Sequence, residues 1–223
     1  MKKMKICIPI QAKAQREALK MLGKIKGQAD VAEIWLDHIK DLNISELLKN
    51  SPMPVLCVCK KPIDKGLFKG TYNEMVKMLV EAVKYGVEYI DIPFSIPEKL
   101  SKKCVQLPAQ VIVSHHDFKK TPSIKKLHQM ALDMKKRGAD IVKIAVMAKT
   151  LNDTFGIISL AQTLKEEGIP HILIAMGKRG TLSRVLTPML GGTMMFAPLS
   201  SKNSSASGQL TVSELRKAWG MFK

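Results

Sequence analysis

The sequence predicts a (β/α)8 TIM barrel, and three observations carry that expectation. Short β-rich runs alternate with helix-period segments from end to end, the runs number eight, and no low-complexity linker splits the chain. Eight strand-helix units fit into 223 residues near the short end of the barrel size range. A composition 46% hydrophobic supplies a sizeable core, so one domain is expected over residues 1–223. A doubly wound open sheet is the structural alternative, but no G-x-G-x-x-G or P-loop follows the first run.

The eight runs are, in order, KICIPI (5–10), VAEIWLDH (31–38), PVLCVCK (54–60), YIDIPF (89–94), QVIVSHH (110–116), DIVKIAV (140–146), HILIAMG (171–177) and GTMMFAP (192–198). The segments between them carry helical periodicity. In 72–85, Met75, Met78, Leu79, Ala82 and Val83 recur at the spacing that places them on one buried face. Ile124, Leu127, Ala131 and Met134 do the same within 121–137, with Pro122 near the start and Gly138 past the end.

Alternation within the strands assigns two faces. In 140–146, Val142, Ile144 and Val146 point toward helices, while Ile141, Lys143 and Ala145 point inward. In the second run Ile34 and Leu36 take the helix side, leaving Glu33, Trp35 and Asp37 on the inner side. Polar groups are therefore expected inside the barrel.

Composition narrows the partners. A formal charge of +17 is the footprint expected for phosphate binding, but the lysines are spread over nearly every helix and aromatics are only 5%. Solvated helix faces, not a nucleic-acid surface, are expected, and the basic exterior would draw small anionic molecules toward a site. The apolar runs fall short of a membrane span, and the start MKKMKICIPIQAK turns polar too soon for a signal peptide. A soluble cytoplasmic protein is expected. Cys7, Cys57, Cys59 and Cys104 form no C-x-x-C pair and fit buried free thiols; no clustered Cys/His set suggests a zinc site.

Lys143 is the residue that an apolar strand explains least. Burial disfavours an ammonium, so its pKa is expected to fall and expose a nucleophilic amine near neutral pH; pairing with a carboxylate such as Glu33 is the structural alternative. The preceding strand ends in SHHDF, placing His115 and His116 near the carboxyl end, where barrels keep their active sites, with only one imidazole able to face inward. After the seventh strand comes MGKRGTLSR (176–184), whose Arg184 suits a bidentate grip on a carboxylate. SSASGQ (204–209) follows the eighth as a small-residue loop able to close over a ligand.

Taken together, SHHDF, VKIAV, MGKRGTLSR and SASGQ, in that order and on those strands, resemble the type I 3-dehydroquinate dehydratases over nearly the whole chain. The resemblance implies a cofactor-free and metal-free barrel lyase that converts 3-dehydroquinate to 3-dehydroshikimate in the shikimate pathway, on the way to aromatic amino acids. It implies Lys143 as the imine-forming lysine and His116 as general acid/base. Arg184 matches the arginine that holds the substrate carboxylate, and Ser205 and Gln209 match polar residues of the closing loop. Glu33, Lys60, Asp64 and Met176 complete the substrate-binding set. Dimerisation is also part of the resemblance. Two departures stand out: Trp35 occupies the place of an arginine usual between the acids of strand two, and Lys60 replaces a second arginine, keeping charge but not the fork of donors. A different Schiff-base lyase of the class I aldolase type, or a noncatalytic barrel, are the competing readings.

Overall fold

In the computed structural model, residues 4–201 and 208–222 are described. Eight strands alternate with helices: β1 Lys5–Ile10, α1 Gln15–Ile25, β2 Val31–Trp35, α2 Ile44–Lys49, β3 Val55–Val58, α3 Tyr72–Lys84, β4 Tyr89–Pro93, α4 Glu98–Cys104, β5 Gln110–Asp117, α5 Ile124–Lys136, β6 Ile141–Met147, α6 Leu151–Glu166, β7 His171–Met176, α7 Thr181–Met189, β8 Met194–Phe196 and α8 Val212–Gly220. Every strand pair is parallel, in the order β7-β6-β5-β4-β3-β2-β1-β8, and an isolated parallel bridge from His171 to Gly192 joins the two ends. This is the expected (β/α)8 barrel, nearly closed.

Local chemistry explains why the helices begin where they do. Thr71, Thr150 and Thr211 each accept the N3 backbone N–H while the N3 acid reaches back, so α3, α6 and α8 start with capping boxes. Gly138, at φ +93°, ends α5 in the left-handed conformation that a side chain disfavours. One face of each helix then packs on the sheet. Met75, Leu79 and Ala82 of α3 and Leu127, Ala131 and Met134 of α5 are all fully buried. Full burial of a Leu or Met side chain contributes about 1.5–3 kcal/mol, so these stripes hold the helices on the barrel.

The second strand is shorter than the sequence suggests. Pairing stops at Trp35, and Leu36–His38 form a 3-10 turn. Asp37 consequently leaves the inner face: its Oδ1 accepts from Lys60 N–H at 3.1 Å and its Oδ2 from Leu67 N–H at 2.7 Å. The expected inward acid instead braces the loop after β3. All four cysteines are free and buried, as expected, and burial pushes the Cys59 thiol up to about 12 and Cys104 to about 11, which leaves them protonated and inert at neutral pH. Among the described residues no helix is long and apolar enough to cross a membrane.

Candidate active site

Parallel pairing brings the inward side chains of neighbouring strands to defined heights. On β5 and β6, Ser114 lies opposite Lys143 and His116 opposite Ala145. His116 and Lys143 are thus on adjacent strands, offset by two residues, roughly 8 Å apart at their α-carbons from strand spacing and rise. Both line a cavity of about 300 Å3, shared with Glu33, Trp35, Lys60, Asp64, Met176, Arg184 and Gln209. His115, in the opposite phase of the same strand, does not line it. Ser205 lies outside the described residues.

The floor is a buried charge network that the sequence did not announce in full. Asp91, on β4 and wholly buried, accepts from Lys143 Nζ at Oδ2 (3.0 Å) and from Ser114 Oγ at Oδ1 (2.6 Å). Lys60 Nζ also donates to Asp91 Oδ1, and to Ser114 Oγ at 3.0 Å. Glu33 Oε1 lies 3.4 Å from Lys143 Nζ, and Glu33 Oε2 accepts from the Trp35 indole N–H at 2.8 Å. Two ammonium groups therefore share two carboxylates, and each acid is further held by a neutral donor. This is the arrangement that buried charges need, because an unpaired one is expelled or neutralised.

The expected fall in the Lys143 pKa does not occur. Burial acts to lower it, but Asp91 and Glu33 outweigh that and raise it above the ordinary lysine value. For Asp91, burial acts upward, yet Lys60 and Lys143 hold the carboxyl well below the usual range. Lys143 is an ammonium in the free site. His116 goes the other way: burial, reinforced by Lys60 and Lys143, lowers its pKa against the opposing pull of Asp64, so the imidazole is neutral at pH 7. Its Nδ1 lies 3.3 Å from Asp64 Oδ1 without hydrogen-bond alignment, and its ring stacks on Phe118 at 5.7 Å between centroids and 2° between planes. Asp64 and Phe118 fix the ring from two sides.

Arg184 is only 2% exposed, and its Nε and Nη1 atoms have no hydrogen-bond partner among the described residues. Burial alone pulls its pKa down to about 10, which still leaves it charged at neutral pH. A buried guanidinium with unpaired donors in a cavity wall has the chemistry to bind an anion. It can be held there because α7 is anchored from below. Ser183 Oγ donates to Gly180 O at 2.7 Å and accepts from Ala175 N–H at 3.0 Å, and Thr187 Oγ1 donates to Leu173 O at 2.9 Å.

Asp91 and Ser114 are the polar residues of this network that reading the sequence missed. The signal was present in YIDIPF: an acid inside an apolar strand, in the inward phase, as Lys143 is in its own strand. Among the described residues no group of three or more His, Cys, Asp or Glu is arranged to hold a metal ion.

Comparison with known proteins follows the same lines. The family model described as type I 3-dehydroquinase matches residues 6–223. The chain is 31% identical over 222 residues to a 3-dehydroquinate dehydratase of Desulfotalea psychrophila, covering 98% of both chains. It is 34% identical over 213 residues to one of Dehalococcoides mccartyi, covering 94% of this chain and 92% of that protein. Its fold superposes on the crystal structure of 3-dehydroquinate dehydratase from Geobacillus kaustophilus with a TM-score of 0.91, at 22% identity, over 99% of this chain and 91% of that one.

Proposed function

The chain belongs to the type I 3-dehydroquinase family and dehydrates 3-dehydroquinate, and we propose that it does so through an imine on Lys143, with His116 moving the protons. The observation that carries this reading is the convergence on one cavity of a lysine, a neutral imidazole on the next strand and a buried guanidinium with vacant donors. The first two are the groups imine chemistry uses, and the third fits the substrate's carboxylate.

The residues divide the work as follows. Arg184 takes the carboxylate through two parallel hydrogen bonds, satisfying donors that are otherwise unpaired. Lys143 first gives up a proton to solvent water, then its Nζ attacks the ring ketone; the carbinolamine hydroxyl takes a proton back from solvent and leaves as water to give a protonated imine. The cationic imine withdraws electrons from the adjacent carbon C2, and His116 removes a proton there to leave an enamine. The enamine pushes electrons toward C1, the C–O bond breaks, and the imidazolium returns its proton to the departing hydroxyl as water. A second water hydrolyses the protonated imine, releasing 3-dehydroshikimate and restoring the Lys143 ammonium. The balance is the loss of one water from the substrate, a step of the shikimate pathway. Glu33 and Asp91 stabilise the cationic imine that replaces the ammonium they already hold. Asp64 and Phe118 keep the imidazole in orientation.

Mixing the protein with 3-dehydroquinate and following the absorbing enone measures the overall reaction. Borohydride reduction during turnover followed by mass spectrometry is expected to place a stable adduct on Lys143. No adduct at saturating substrate would refute the imine reading, and would favour a noncatalytic barrel if turnover were absent too.

A further inference from the structure

We infer that Lys65 is a specificity-determining residue of this site, donating from its ammonium to the ring hydroxyls at the end of the substrate away from the carboxylate. The inference rests on the dehydration reading above and adds a residue to it.

Lys65 is the one non-glycine residue at positive φ among the described residues, with φ 64° and ψ 18°. That left-handed conformation favours glycine, and a side chain kept there marks a place where the surroundings impose the bend. The impositions are visible. Asp37 accepts the N–H groups of Lys60 and Leu67, drawing the two ends of the loop together. Lys65 N–H donates to Pro62 O at 3.0 Å, Gly66 N–H to Lys61 O at 3.0 Å and Phe68 N–H to Lys60 O at 3.1 Å. Gly66 packs so closely that a Cβ there would lie 1.8 Å from Lys60 O. The bend is fixed on both sides, and at its apex stands a long cationic side chain.

That side chain serves the cavity. Lys65 is among its lining residues, and Nζ lies 4.4 Å from the centroid of Phe118, the ring that stacks on His116. The other cations are committed differently: Lys60 is bound to Asp91 and Ser114, Lys143 to Asp91 and Glu33, and Arg184 is vacant. Lys65 has no carboxylate partner among the described residues, and position 35 supplies a neutral indole. Among the described residues, Lys65 and Arg184 are thus the two cations of the cavity left for a ligand. Lys65 follows β3 and Arg184 follows β7, four strands apart in an eight-stranded order, so they belong to opposite walls.

The substrate matches that opposition. In 3-dehydroquinate the carboxylate is on C1 and the C4 hydroxyl is across the ring, with the C5 hydroxyl beside it and the ketone to be attacked at C3. With the carboxylate on Arg184 and C3 at Lys143, the hydroxyl end faces the β3 side. A cation held over an aromatic face is partly desolvated already and gives up little on exchanging that contact for an oxygen.

The test separates this role from the imine chemistry. In Lys143→Ala protein, which cannot form the imine, binding of 3-dehydroquinate is titrated through the fluorescence of Trp35 and repeated with Lys65→Gly, Lys65→Met and Lys65→Arg added. Glycine suits the backbone conformation, so the first of these keeps its fold, checked by thermal melting. The expected result is an approximately tenfold weaker Kd for Gly and Met, the scale of one charge-assisted hydrogen bond, with Arg restoring most of it. In protein retaining Lys143, kcat/KM falls by a similar factor, mainly through KM. Equal affinity in all four proteins, or failure of Arg to rescue, overturns the role of Lys65. Absence of turnover and adduct in the unsubstituted protein, with the Lys65 dependence of binding intact, would overturn the imine reading alone.

Discussion

Asp91 is the point at which stability and chemistry can be pulled apart. Replacing it by Asn preserves shape and the capacity to bond Ser114, but removes the charge that sits between Lys60 and Lys143. Two buried ammonium groups are then left to share Glu33, which contacts only Lys143. Breaking a buried pair by removing one partner typically costs about 3–5 kcal/mol. For a chain of this size each kcal/mol moves the melting temperature by about 2–4 °C, so a fall of roughly 10 °C is expected. The linkage has a definite sign. The depressed Asp91 pKa stabilises the protein above the unfolded carboxyl value, and that contribution is lost as pH falls through the folded value. The raised Lys143 pKa stabilises below the unfolded lysine value of 10.5 and is lost as pH rises through the higher folded one. Asp91→Asn removes the first contribution and weakens the second, so the variant should lose its extra sensitivity to acid. The kinetic consequence runs in the opposite direction. With Asp91 neutral, the Lys143 ammonium loses its larger electrostatic support, and its pKa drops toward what burial alone favours. Borohydride trapping at limiting times, measured from pH 6 to 9, should then reach its plateau at a lower pH by at least about one unit, equivalent to about 1.4 kcal/mol. A destabilised variant whose trapping profile stays where the unsubstituted protein has it would refute the claim that Asp91 sets the protonation of Lys143.

Arg184→Met should raise the melting temperature of the free protein, because it removes a buried charge with vacant donors, while weakening 3-dehydroquinate binding by about 100-fold; a lower melting temperature would show that the guanidinium contributes to the fold. His116→Ala should still yield the borohydride adduct but turn over about 10²–10⁴-fold more slowly, and loss of trapping in a folded variant would contradict its assignment to the later proton transfers. Gly66→Ala forces its Cβ against Lys60 O, so the loop after β3 must shift and KM should rise at least severalfold, with α-helical content by circular dichroism unchanged.

Reading of the sequence reached the barrel because parallel strands and amphipathic helices leave separate periodicities, and those depend on nothing remote. It singled out Lys143, His116 and Arg184, which the structure brings to one cavity, because Lys143 is a charge inside an apolar strand and the other two lie near or just after a strand's carboxyl end. It failed where an answer depended on partners from distant strands. The direction of the Lys143 pKa turns on Asp91, 52 residues away, whose contact could not be read from either strand alone. Asp37 was misplaced because alternation was carried past the end of the strand, where a 3-10 turn rotates the side chain toward the loop. Lys65 escaped notice because a surface-type residue in a turn signals nothing until its φ is known.

The last strand has its own consequence. β8 holds three residues and pairs with β1 over all of them, but toward β7 there is a single bridge, from His171 to Gly192 just before β8. The cylinder therefore has a seam, and amide exchange should be fastest there among the strands, since opening it breaks the fewest cross-strand hydrogen bonds. Arg184 is carried by the helix that spans this seam, from the end of β7 to the start of β8. A ligand whose carboxylate seats on Arg184 would stitch the seam from above, so exchange protection between residues 171 and 196 becomes a local gauge of occupancy that needs no turnover.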